Sequence, residues 1–96
     1  MRKRYLVAYD VRNPERLRTM RRVMLGFGEP LQYSVFVCEL SEKEKALMIG
    51  ALTEIIHQAE DRVLIADLGI AGGTGDLRIE FLGQMEELPE RRPVVI

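Results

Sequence analysis

Tyr5 to Val11 is an almost unbroken apolar run, rich in aromatic and β-branched residues and interrupted only by Asp10. Such a run fits a strand covered on both faces, and therefore a central one. Beyond it the period changes. Asn13 followed by Pro14 supplies an N-cap and a first-turn proline, and Gly26 and Gly28 close the segment, so the pattern predicts a helix over about Pro14–Leu25. Leu17, Met20, Met24 and Phe27 fall on one stripe of that helix, and Arg18, Arg21 and Arg22 on the other side, as a basic ridge toward solvent.

Leu31 to Leu40 reads as one long strand or two short ones, with Val35 and Val37 on one face and Phe36, Cys38 and Leu40 on the other. Ser41 with Glu44 three residues on is a capping box. It opens a helix to about Gln58 with a stripe of Met48, Ile49, Leu52, Ile55, Ile56 and Ala59. Asp61–Leu68 and Leu77–Leu82 read as strands joined by the glycine-rich segment 69–76. The order is that of an α+β, ferredoxin-like βαββαβ domain with an extra C-terminal strand. It occupies residues 1–83, and 84–96 form a tail with Pro89, Pro93 and a bare Val94-Val95-Ile96 end that wants a partner subunit to dock on. Two helices cover one face of such a sheet, yet the first strand and Val35–Leu40 offer apolar side chains to both. A second copy packed sheet to sheet is the simplest cover, so a homodimer is expected.

Length and composition narrow the classes. A chain of 96 residues has room for one domain with a thin core. With one cysteine, Cys38, and one histidine, His57, it can build neither a disulfide framework nor a structural zinc site, nor the paired histidines of metal-free ribonuclease chemistry. No apolar run approaches the roughly 18 residues of a membrane span, so a cytoplasmic protein is expected, without a membrane partner. The net charge of −1 conceals an asymmetry: residues 2–22 carry eight bases against Asp10 and Glu15, a net of +6, and the rest of the chain carries −7. A basic, anion-binding surface opposed by acidic flanks follows.

Asp10 ends the first strand on the Leu6/Ala8 face, opposite Tyr5, Val7 and Tyr9. A carboxylate there either caps a turn or pairs with Arg12 or Arg16, or it ligates a cation. Mg²⁺ keeps most of its waters and needs only one or two carboxylates, which two Asp10 side chains at a dimer axis would provide. Arg18 and Arg22 have Pro14 and Gly26 where a neutralising acid would sit at i−4 and i+4. They are either a solvated helix face or a phosphate-binding one. Arg16, near the apolar stripe in the first turn, is expected to point back toward Asp10, neutralising it or holding a phosphate beside it. Gly72-Gly73-Thr74-Gly75 lacks the Lys-Ser/Thr ending of a P-loop and reads as a hairpin tip. Cys38 reads as packing and His57 as surface.

Tyr9-Asp10-Val11 closing the first strand, an arginine-rich helix, Gly28, and then Gln32-Tyr33-Ser34-Val35-Phe36 resemble the small CRISPR-associated adaptation proteins, the Cas protein two family. The match is detailed over about residues 5–40. The resemblance implies a ferredoxin-like homodimer that joins the larger CRISPR integrase subunit in capturing spacer DNA. It also implies a Mg²⁺-dependent (or Mn²⁺-dependent) endonuclease acting on RNA or duplex DNA through the strand-end Asp of each chain. Carried over, the catalytic set is Asp10, Tyr9, Arg16, Arg18 and Phe36, with Asp10 on the metal, and Arg16, Arg18, Arg21 and Arg22 form the nucleic-acid surface. One position departs: many relatives place a base two residues before the Gln, where this chain has Pro30. A non-catalytic DNA-bridging scaffold, or a toxin-like ribonuclease of the same fold, is the alternative.

Overall fold

A computed structural model describes residues 1–71 and 79–84. The chain runs β1 (Lys3–Asp10), α1 (Pro14–Leu25), β2 (Glu29–Gln32), β3 (Val35–Leu40), α2 (Glu42–Ile55) and β4 (Arg62–Ile70). All pairs are antiparallel, in the order β2-β3-β1-β4. This is the ferredoxin-like βαββαβ arrangement, with β1 central as its apolar run requires. Leu31–Leu40 resolves into two strands joined at Tyr33-Ser34, and Pro30 lies in the edge strand β2, where a missing N–H is tolerated.

Both helices start where their caps predict. The Asn13 side chain accepts from the N–H groups of Glu15 (2.9 Å) and Arg16 (3.0 Å) ahead of Pro14. Ser41 and Glu44 form the reciprocal capping box. One sheet face meets the helices: Tyr5, Val7 and Tyr9 of β1 and Phe36, Cys38 and Leu40 of β3 are buried with Met20, Met24, Met48 and Leu52. Burial pushes the Cys38 thiol up to about 11, so it remains protonated in the core.

The other face is left half-open. Leu6, Ala8, Val35 and Val37 are partly exposed there, and Leu64 and Leu68 are 56% and 45% exposed. Two expectations for α2 are corrected: Ile49 is exposed and Ala59 lies beyond the helix, because Met48 and Leu52 already fill the contact with the sheet. The strand expected over Leu77–Leu82 is also corrected in its described part, since residues 79–82 pair with no strand and Leu82 is 98% exposed. Leu77, Arg78, the glycine-rich segment from 72 to 76 and the tail from 85 to 96 lie outside the described residues. Among the described residues no helix is long and apolar enough to cross a membrane.

Candidate functional site

Strand alternation separates two neighbours at the end of β1. Tyr9 points into the core, 6% exposed, stacked on the buried Phe36 ring with centroids 6.2 Å apart. Asp10 points to the opposite, open face and is exposed. Across the ladder from Asp10 stands Arg62 of β4, also exposed, and the two rim a shallow depression lined by Ala8, Tyr9, Asp10, Arg62, Val63 and Leu64. The structure therefore does not bring Tyr9 and Phe36 to the Asp10 carboxylate. Burial pushes the Tyr9 phenol up to about 12, which keeps it a neutral donor at ordinary pH. Its hydroxyl donates to the Tyr33 carbonyl at 3.4 Å.

Arg16 does not reach Asp10 either. It forks onto Asp61, with Nε to Oδ2 at 2.9 Å and Nη2 to Oδ1 at 3.2 Å, and also reaches Glu60 at 3.0 Å. The reason is the thickness of the sheet: α1 packs on the face opposite Asp10, so a side chain from its first turn meets the α2–β4 loop instead. Asp61, whose side chain is wholly enclosed, also accepts from the backbone N–H of Arg12 (3.1 Å) and of His57 (2.8 Å). Four donors hold its carboxyl well below the usual carboxylate range, the Arg16 guanidinium foremost. Asp61 thereby ties together the turn after Asp10, the start of α1 and the entry to β4. From the sequence alone Asp61 reads only as a strand end. The available signal was an acid directly before a strand, beside an arginine in a first helical turn.

The basic ridge is corrected at Arg21. This residue is 6% exposed, its guanidinium 4.3 Å from the Tyr33 ring centroid and 5.7 Å from that of Phe36. Its Nη1 donates to the Tyr33 carbonyl at 2.5 Å. On a helix of about 100° per residue Arg21 lies only about 40° from Leu17, within reach of the buried arc. The β2–β3 turn supplies the carbonyl and ring faces that a buried cation needs. Arg18 and Arg22 are exposed as expected, and among the described residues neither has an acidic partner.

Among the described residues no three His, Cys, Asp or Glu side chains converge to hold a metal. Among the described residues Asp10 stands as a hard oxygen donor on the half-open face of the sheet.

Residues 2–71 match the family described as CRISPR associated protein Cas2. The chain is 39% identical over 92 residues to the CRISPR-associated endoribonuclease Cas2 1 of Rhodospirillum rubrum, covering 96% of this chain and 89% of that one. It is 49% identical over 67 residues to the CRISPR-associated endoribonuclease Cas2 of Geobacter sulfurreducens, 70% of each chain. The crystal structure of Streptococcus pyogenes Cas2 superposes with a TM-score of 0.71 at 30% identity, over 83% of this chain and 99% of that one. With the family model matched over residues 2–71 and relatives this similar over most of their length, the chain belongs to the CRISPR-associated Cas2 family.

Proposed function

We propose that the protein is a homodimeric, Mg²⁺-dependent endoribonuclease of a CRISPR system, built around the Asp10 carboxylates of two copies. The observation that carries this reading is the placement of Asp10: exposed, on the sheet face that no helix of the described residues covers, beside apolar Leu6, Ala8, Val35 and Val37. Packing that face on a second copy removes apolar surface from water and brings two carboxylates toward one axis. A pair of hard oxygen donors fits a largely hydrated Mg²⁺ or Mn²⁺, which one carboxylate per chain does not enclose alone. When bound, such an ion polarises a phosphoryl group and lowers the pKa of its water. Arg18 and Arg22 contact the phosphate backbone, while Arg16, Tyr9 and Phe36 position the strand end and its flanking turn. The names of the relatives support RNA as the substrate.

A second reading, a dimer that bridges the CRISPR integrase and duplex DNA during spacer acquisition, is favoured by Pro30, which stands buried where many relatives carry a base. The two roles are compatible. Asp10→Asn keeps the side chain's shape and removes two negative charges per dimer. It is expected to dimerise, bind nucleic acid and lose RNA cleavage in Mg²⁺, measured against parent protein and chelator. Equal cleavage by both proteins would remove Asp10 from the chemistry. A parent that never cleaves, with a variant that still supports spacer capture, would leave the bridging role alone.

A further inference from the structure

We propose that Arg62 is the phosphate anchor of the Asp10 site, seating the phosphodiester that is presented to the two Asp10 carboxylates. The inference rests on the endoribonuclease reading above and names the group that holds its substrate. Asp10 and Arg62 are direct partners in the antiparallel β1–β4 ladder, so their side chains leave the sheet on the same half-open face. Both are exposed. They stand at a corner of the sheet, where β1 ends and β4 begins, and line one depression together with apolar Ala8, Val63 and Leu64.

The far end of the same face shows what such an opposed pair ordinarily does. Arg4 and Glu39 are also direct partners, and there Nε reaches Oε1 at 3.0 Å. Among the described residues the side chains of Asp10 and Arg62 make no ion pair, with each other or elsewhere. The Arg62 guanidinium therefore keeps its N–H donors for an anion, and the Asp10 carboxylate keeps its oxygens for a cation. Their spacing is fixed by the residue between ladder and loop: the enclosed Asp61 accepts from the Arg12 N–H at 3.1 Å and from Arg16 Nε at 2.9 Å, tying the start of β4 to the turn after Asp10. Only the Arg62 side chain is left to be ordered when a phosphate arrives.

Charge gives the anchor its signature. In two copies the Asp10 pair carries two negative charges and the Arg62 pair two positive ones, so the site without RNA is neutral and draws a divalent cation weakly. A phosphodiester on Arg62 adds negative charge beside the carboxylates, and the planar guanidinium matches two of its oxygens. Arg62 thus favours RNA and disfavours a lone cation, two effects of opposite sign that a residue acting only on folding does not produce.

The test compares parent, Arg62→Ala, Arg62→Lys and Asp10→Asn, with oligomeric state checked by sedimentation. Affinity for a fluorescein-labelled twelve-nucleotide uridine RNA is read by anisotropy in chelator, where no strand is cut, and affinity for Mn²⁺ without RNA from the free-ion electron paramagnetic resonance signal. Arg62→Ala is expected to bind the RNA roughly threefold to tenfold more weakly, to flatten log K against log salt by roughly 0.7 for each Arg62 engaged, and to bind Mn²⁺ no more weakly than the parent. Asp10→Asn moves the other way, gaining RNA affinity in chelator and losing Mn²⁺. Arg62→Lys keeps the charge and stays within about threefold of the parent in both. An Arg62→Ala protein with the parent's RNA affinity and salt slope refutes the anchor. So does one that changes oligomeric state, or that weakens for RNA and Mn²⁺ alike. In those cases the endoribonuclease reading stands, as long as the parent cleaves the RNA in Mg²⁺ and Asp10→Asn does not. If the parent does not cleave it, that reading fails and the anchor with it.

Discussion

Gly28 is the point where α1 hands the chain to the sheet, and replacing it with alanine tests how tightly that passage is built. Its N–H donates to the Met24 carbonyl at 2.9 Å, and the following residue, Glu29, pairs with Val37. A Cβ at Gly28 would overlap the Val37 carbonyl oxygen and stand 2.5 Å from Cys38 Sγ and 3.1 Å from Cys38 Cα. Unstrained contacts between such atoms lie at about 3.5 to 4 Å, so β2 must move by about an ångström relative to β3. Overpacking of this kind costs roughly 1 to 3 kcal/mol, the upper part applying here because one of the opposed atoms is backbone. For a domain of this size that is a fall in Tm of roughly 10 °C or more.

Gly50 supplies the control. It lies in the exposed middle of α2 and a Cβ there would meet nothing within 4 Å, so Gly50→Ala should stabilise by about 0.5 to 1 kcal/mol through helix propensity. Urea titration of both variants at one fixed protein concentration should move the midpoints in opposite directions with m unchanged. Adding Cys38→Ala to Gly28→Ala removes the sulfur contact but leaves the Val37 oxygen, so little of the loss beyond that of Cys38→Ala itself should be recovered. A neutral or stabilising Gly28→Ala would refute the close approach.

Three further outcomes are expected. Arg18→Ala with Arg22→Ala should weaken binding to all nucleic-acid sequences alike and flatten log K against log salt by roughly one to two units per chain, read by fluorescence anisotropy from low to high salt. The depressed Asp61 carboxyl contributes stability that is fully present above the unfolded-state pKa of about 3.9 and is lost as pH falls below it. Asp61→Asn should therefore be less stable near neutrality and show a shallower loss on acidification; a parallel curve would mean that the Arg16 pair does not stabilise the fold. The raised Tyr9 phenol has the opposite sign: its contribution is present below pH 10 and is lost as pH rises toward about 12. Tyr9→Phe should reduce the alkaline slope of the stability curve, measured by denaturant titration between pH 9 and 12, leaving the part that belongs to the raised Cys38 thiol.

What could be read in advance was whatever depends on neighbours along the chain. Period-two alternation placed Tyr5, Val7 and Tyr9 opposite Leu6, Ala8 and Asp10, and the caps at Asn13 and Ser41 fixed both helix starts. What could not be read depends on a partner distant in sequence. A helical wheel gives the direction of Arg21 but not the Tyr33 carbonyl and ring that draw it inward. It gives Arg16 a heading but not the Asp61 carboxylate that intercepts it. The alternation in Leu77–Leu82 says which side chains would share a face, whereas forming a strand requires an edge to pair with, and residues 79–82 have none within the described chain.

The placement of Asp10 depends on register more than on any local preference. Sliding β1 by one residue would carry Asp10 into the core and turn Tyr9 outward, exchanging every side chain between the faces. β1 is held against that slip from both sides, by β3 from Lys3 to Ala8 and by β4 from Lys3 to Asp10. Beyond the last pair, Asp61 grips the Arg12 N–H, so the turn that follows Asp10 cannot slide without breaking a bond to an enclosed carboxylate. An edge strand such as β2 or β4 would have only one neighbour to resist the same slip. Two ladders and the enclosed Asp61 pair thus fix one exposed carboxylate to the face that the described residues leave half-open. On the proposed function, the core residues Tyr9 and Phe36 would act on Asp10 through this register, so their substitution should change stability and the position of Asp10 together, while Asp10→Asn should leave the ladders intact.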